Sequence, residues 1–106
     1  MSTAYSIVYS PESLDDLRAI GEYIRDVLLE PDVARRQVSR MRDAIRGLKT
    51  MPRRHALLDW EPWHSREIRR VVVDNYLVFY VVEEDMYEVR IVRILHGSMD
   101  LERLVH

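Results

Sequence analysis

Residues 68–96 constrain this chain more than any other stretch, because three apolar runs follow one another there with only short polar breaks between them. The runs are Ile68–Val73, Tyr76–Val82 and Tyr87–Leu95; the breaks are Asp74-Asn75 and Glu83-Glu84-Asp85. β-Branched and aromatic residues fill the runs and turn formers fill the breaks, which predicts an antiparallel three-stranded meander. The middle run, Leu77 to Val82, is apolar without alternation. A strand of that kind is covered on both faces or nearly so. The rest of the chain has to supply the cover, and functional groups have to hang off the rim of the sheet.

Read in order, Tyr5–Tyr9 is a short strand candidate, and Ser10-Pro11 is a helix start with a capping hydroxyl and a proline at the first helical position. Asp15 and Asp16 lie near the positive end of that helix dipole. Leu14, Leu17, Gly21, Ile24 and Leu28 extend the helix to about Leu29, with Glu12, Asp15, Glu22 and Asp26 on its outer face. Glu30-Pro31 breaks it and starts a second helix. Ala34, Val38, Met41, Ile45 and Leu48 give that helix the cleanest amphipathic spacing in the chain. Arg35, Arg36, Arg40, Arg42, Arg46 and Lys49 occupy its other positions, and Met51-Pro52 stops it. The two helices are expected to form an antiparallel hairpin whose acidic and basic flanks pair. Residues 53–67 form a connector long enough to be a functional loop. Its Trp60 and Trp63 are expected as lid or partner-contact residues. Leu101, Leu104 and Val105 are expected to dock the tail on the sheet edge. The order β-α-α-β-β-β specifies an α+β fold, a twisted antiparallel sheet with a helical hairpin packed on one face, as a single domain over residues 1–106.

Several function classes drop out. There is no cysteine, so disulfides and thiolate metal sites are excluded. The four His, at 55, 64, 96 and 106, lack metal-ligand spacing, and no phosphate-binding glycine motif exists, so neither metal nor cofactor is expected. No apolar run approaches the roughly 20 residues of a membrane span. The N-terminus lacks the basic and apolar regions of a signal peptide, so a soluble, cytoplasmic protein is the expectation. The net charge of −2 argues against bulk nucleic-acid binding. Between Met51 and Val73, however, five Arg face three acids, a local excess of +2 with His neutral.

The chemistry-bearing groups gather around the meander: Arg53, Arg54, His55, His64, Arg66, Arg69, Arg70, Tyr76, Arg90, Arg93, His96 and Asp100. Arg69 and Arg70 are successive strand residues, so they point to opposite faces and at most one faces the helices. Arg93, in an apolar strand, has to find an anion or reach water. It either pairs with a helix carboxylate or contacts phosphate from an open face. His96 comes at the strand end before Gly97, where the sheet rim is exposed. Such a set suits phosphodiester chemistry without metal, with Arg stabilising the phosphorane and His or Tyr moving protons at a ribose 2′-OH and the leaving 5′-oxygen.

Two blocks carry a family resemblance: Ile68-Arg69-Arg70-Val71-Val72-Val73-Asp74-Asn75-Tyr76-Leu77-Val78-Phe79-Tyr80, and Val89 through Leu101 with Arg93-Ile94-Leu95-His96-Gly97-Ser98-Met99-Asp100. With the β-α-α-β-β-β order, the Ser-Pro-Glu helix start and the Met51-Pro52-Arg53 stop, the whole chain resembles the RelE/ParE superfamily of bacterial type II toxins. The resemblance implies a toxin neutralised by a cognate antitoxin, with a heterotetramer as one assembly. RelE-like members cleave mRNA on the ribosome as metal-independent endoribonucleases, whereas ParE-like members poison DNA gyrase; a degenerate toxin that only binds antitoxin is a third outcome. On the ribonuclease reading Arg69, Arg70 and His96 are catalytic, and Arg53, Arg54, His55, Arg66 and Arg93 bind substrate RNA. One departure bears on this. The resemblance implies basic residues at the two positions where this chain has Ser98 and Met99, a usual feature of close relatives. Losing a transition-state contact of that kind typically costs roughly 10²–10³ in rate.

Overall fold

A computed structural model describes residues 4–99. Strand β1 (Ser6–Tyr9) leads into helix α1 (Pro11–Glu22), and α2 (Pro31–Arg46) follows. The meander is β2 (Arg69–Val73), β3 (Tyr76–Glu83) and β4 (Glu88–His96). The expected tail docking and the Asp100 assignment lie outside the described residues.

The sheet order is β1-β4-β3-β2. The meander is antiparallel as its breaks predict, but β1 joins β4 in parallel, so the sheet is mixed and not wholly antiparallel. The direction of β1 follows from where it must deliver the chain. The Ser10 hydroxyl caps α1 by accepting from the Ser13 N–H at 3.0 Å and donates to the Val92 carbonyl at 2.8 Å. These bonds anchor the helix start beside the middle of β4, past the β1 pairing at Glu88–Ile91, so β1 has to run the same way as β4. Past the end of β1, α1 takes over as the neighbour of β4. Asp16 accepts the Ile94 N–H at 2.9 Å, satisfying a backbone donor that no strand reaches.

Both helices cover one face of the sheet. Leu17, Met41, Ile45 and Leu48 meet Val73, Val78, Tyr80, Val89, Ile91 and Ile94 in the main core. The opposite face is also covered, by the connector: Leu58, Trp63 and Ile68 pack with Phe79 and Leu95 in a second, smaller core. Val78, Phe79 and Tyr80 are therefore all buried, as the unbroken apolar run of β3 predicts. Trp63 is 5 % exposed and belongs to this core rather than to a lid, while Trp60 is 40 % exposed. A β-bulge between Phe79 and Tyr80, opposite Ile91 to Arg93, lets Val92 turn toward the second core.

Helix one is shorter than its apolar spacing suggests. The α-helix ends at Glu22, and Tyr23–Val27 form a π-helical turn. The flanks of the hairpin do not pair across it. Arg18–Asp15, Arg35–Asp32 and Arg46–Asp43 close within a helix at i,i+3, and among the described residues no ion pair links α1 to α2. Arg40 reaches the β2–β3 turn, donating twice to Asp74 at 2.7 and 2.8 Å, with Gln37 adding a third bond. These bonds hold the Asp74 carboxyl below its usual range, led by the Arg40 bond. A depressed carboxylate stabilises the fold above its unfolded pKa and loses that contribution as pH falls through its folded pKa. Melting followed below about pH 4 should therefore show a steeper acid loss in the native chain than in Asp74→Asn; parallel curves would show that the carboxylate is not coupled to folding.

Candidate functional site

The basic groups fall into separate places. Arg69 lies opposite Tyr80 on the helix-facing side of β2, where its guanidinium donates to the carbonyls of His55 at 2.7 Å and Arg53 at 3.2 Å. Tyr80 donates to the Pro52 carbonyl at 2.7 Å, and the His55 ring stands edge-on to Tyr80 at 6.4 Å. Burial pushes the Tyr80 hydroxyl up to about 12, so it is a fixed neutral donor. Burial also lowers His55, with Arg54 adding to the effect. Arg53 pairs with Glu84, which also accepts from Tyr5. Arg54 lies 3.4 Å from the His55 ring nitrogen. These groups form a latch that ties the start of the connector to the sheet.

Arg70 points away from this latch. It lies opposite Phe79, whose ring is in the second core, so it is on the connector side of the sheet and exposed. Arg66 is in the connector itself, its guanidinium 5.4 Å from the Trp63 ring centroid. Arg93 faces Asp16, donating twice at 2.8 Å. The two side chains are 18 % and 14 % exposed, which is the helix-carboxylate alternative for this Arg.

His96 lies beside Tyr76, edge-on at 5.5 Å between ring centroids. Its Nδ1 accepts the Ser98 N–H at 3.1 Å and lies 2.8 Å from the Ser98 hydroxyl. A backbone N–H can only donate, so the neutral ring carries its proton on Nε2. Ser98, which stands where basic residues were expected, thus orients His96. Four residues of β3 separate Tyr76, beside His96, from Tyr80, beside Arg69. That is roughly 13 Å along the strand, with a strand between them. The structure therefore brings Arg53, Arg54, His55 and Arg69 together, but not Arg69, Arg70 and His96. Among the described residues no group of acidic and His side chains is arranged to hold a metal.

A different surface stands out. The outer groove between α1 and α2 has a volume of about 860 Å³. Its floor includes Leu17, Ala34 and Val38, and Arg18, Arg25, Arg35, Arg42 and Arg46 line it against two acids, Glu22 and Asp43. Gly21 sets the approach of the helices, since a Cβ there would meet the Val38 side chain at 3.2 Å. Composition alone does not reveal this site, because each Arg also reads as part of a solvated flank. The usable signal is spacing: Arg18 to Arg25 and Arg35 to Arg42 are seven residues apart, and Arg46 is four further on, all returning to one side of a helix.

A family model described as the ParE toxin of the type II toxin–antitoxin system parDE matches residues 7–101. The fold is similar to a chromosomal ParDE toxin–antitoxin system from P. aeruginosa, with a TM-score of 0.74 and 21 % identity over 92 % of this chain and 100 % of that one. It is also similar to the RelBE2 toxin–antitoxin complex of Mycobacterium tuberculosis, at 0.63 and 17 % over 88 % and 98 %. A substituted form of the E. coli toxin RelE in the free state gives 0.64 and 14 % over 90 % and 85 %. No curated protein matches the sequence significantly.

Proposed function

The chain belongs to the ParE toxin family of type II toxin–antitoxin systems, and from that premise we propose that it acts by binding DNA gyrase rather than by cutting mRNA on the ribosome. The observation that carries this reading is the dispersal of the nuclease candidates. Arg69 spends its guanidinium on backbone carbonyls, Arg70 lies on the opposite face, and His96 is turned toward Ser98 a strand away. General acid–base catalysis on one phosphodiester requires its groups within hydrogen-bond reach of the same reacting atoms. The face opposite the helices is covered over Phe79 and Leu95 by Leu58, Trp63 and Ile68, which narrows the room for a concave RNA site there. A stoichiometric inhibitor needs no such cluster; it needs surface.

The antitoxin is the second partner, and the groove between the helices suits it. A partially apolar channel lined by five Arg fits an amphipathic segment with acidic flanks. The P. aeruginosa and M. tuberculosis neighbours are themselves toxin–antitoxin systems. Among the described residues no helix is long and apolar enough to cross a membrane.

Induction of the chain in bacteria, with supercoiling and mRNA integrity followed together, tests the reading. The expected result is loss of gyrase supercoiling with reporter mRNA intact. Arg70→Ala and His96→Ala should arrest growth as the native chain does, within about twofold. Codon-specific cuts in translated mRNA, lost in His96→Ala, would overturn the proposal and restore the endoribonuclease.

A further inference from the structure

The tip of the helical hairpin combines three features that folding alone does not explain. The α1 helix ends in a π-helical turn, Tyr23–Val27, in which the Leu28 N–H reaches back to the Tyr23 carbonyl at 3.1 Å. Such turns are rare and occur often at functional sites. The Glu30 N–H then bonds the Ile24 carbonyl at 3.0 Å, closing a seven-residue loop with Leu29 at φ 58°. That position of a helix C-terminus is where glycine ordinarily sits, because a Cβ is strained there. A leucine occupies it, and its side chain is spent on solvent: Val27, Leu28 and Leu29 are 63 %, 51 % and 76 % exposed. Leu29 is both strained and mostly exposed, and Val27 and Leu28 beside it are more than half exposed.

The charge around the triplet indicates what would cover it. Residues 22–32 contain Glu22, Asp26, Glu30 and Asp32 against the single Arg25, a local charge of −3. Arg25 is paired with Asp26 and Asp32 with Arg35, so among the described residues the tip acids outside ion pairs are Glu22 and Glu30. The tip is therefore an apolar knob in an acidic collar, opposite in sign to the Arg-lined groove it borders, with which it shares Glu22 and Arg25. Two surfaces of opposite charge do not fit the same partner segment. We propose that the hairpin tip is the contact to gyrase, entering a pocket with an apolar floor and a basic rim. The inference rests on the gyrase reading above. A protein that handles DNA carries basic surface for the phosphates, and the acidic collar complements that charge.

The test is inhibition of purified gyrase by the purified full chain and four folded variants. Leu29→Gly removes the aliphatic group and relieves the backbone strain, so its Tm should be unchanged or higher. Leu28→Asp and Leu29→Asp place charge in the knob, and Glu30→Lys reverses the collar. Each variant is expected to need about tenfold or more toxin for equal inhibition, with its circular dichroism unchanged. Native inhibition that weakens as salt rises is also expected. If the native chain inhibits and the folded variants, Leu29→Gly above all, inhibit equally, the tip assignment is overturned while the gyrase reading stands. If the native chain leaves supercoiling intact, both fall together. Should either Asp variant fail to fold, Leu29→Gly decides the matter alone.

Discussion

Tyr80→Ala should destabilise the chain by about 4 kcal/mol, a large share of the roughly 5–15 kcal/mol that holds a small domain folded. Tyr80 is fully buried, lies in the strand with neighbours on both sides, and packs in the main core. Its ring fills the space between the sheet and the start of the connector, and its hydroxyl holds the Pro52 carbonyl. Truncation removes the ring, opens a cavity that rigid neighbours cannot close, and orphans the carbonyl. Tyr80→Phe isolates the last contribution and should cost only about 1 kcal/mol. Denaturant melts of both variants check the partition. Equal losses for Phe and Ala would mean that the hydrogen bond, and not the packing, fixes the connector.

Asp16→Ala should cost about 3 kcal/mol, lowering Tm by roughly 15 °C. The carboxylate receives three donors at once, two from Arg93 and one from the Ile94 N–H, in a site only 14 % exposed. Removing it strands a largely buried guanidinium and an unpaired backbone donor together. Hydrogen bonding to Asp16 also raises the Arg93 pKa, so the cation persists at any accessible pH. Asp16→Asn keeps one acceptor and should recover part of the loss. An Arg93→Met, Asp16→Leu double variant, apolar on both sides, should be more stable than Asp16→Ala alone. If Asp16→Ala melts within a few degrees of the native chain, solvent reaches the pair more freely than its burial indicates.

How far the sequence carried the fold depends on the range of the interaction involved. The meander was legible because turn residues and strand composition are local, and the observed strands depart from the apolar runs by a residue or so at each end. The hairpin helices were legible for the same reason. The direction of β1 was not, since its partner is about eighty residues away and nothing near Ser6 encodes it. The end of α1 was misplaced because Ile24 and Leu28 keep helical spacing through the π turn. Trp63 read as a lid residue since nothing in the connector announces that a second core waits beneath it. For the candidate site, alternation correctly separated Arg69 from Arg70, and both fates of Arg93 could be written down beforehand. The choice between those fates required knowing that Asp16 faces the edge of β4, which is tertiary information. The groove arginines and the hairpin tip were missed as sites because each residue, taken singly, is an ordinary surface group.

The parallel pairing of β1 with β4 has a consequence for how the toxin is made. Synthesis proceeds from the N-terminus, so β1 and both helices are made well before residues 88–96. Until then β1 has no neighbour, Asp16 has no backbone N–H to hold, and the main core lacks Val89, Ile91 and Ile94. Native contacts of such long sequence separation form late. A nascent chain interrupted anywhere before β4 thus cannot assemble this sheet, and the poison comes into being only after β4 has been made.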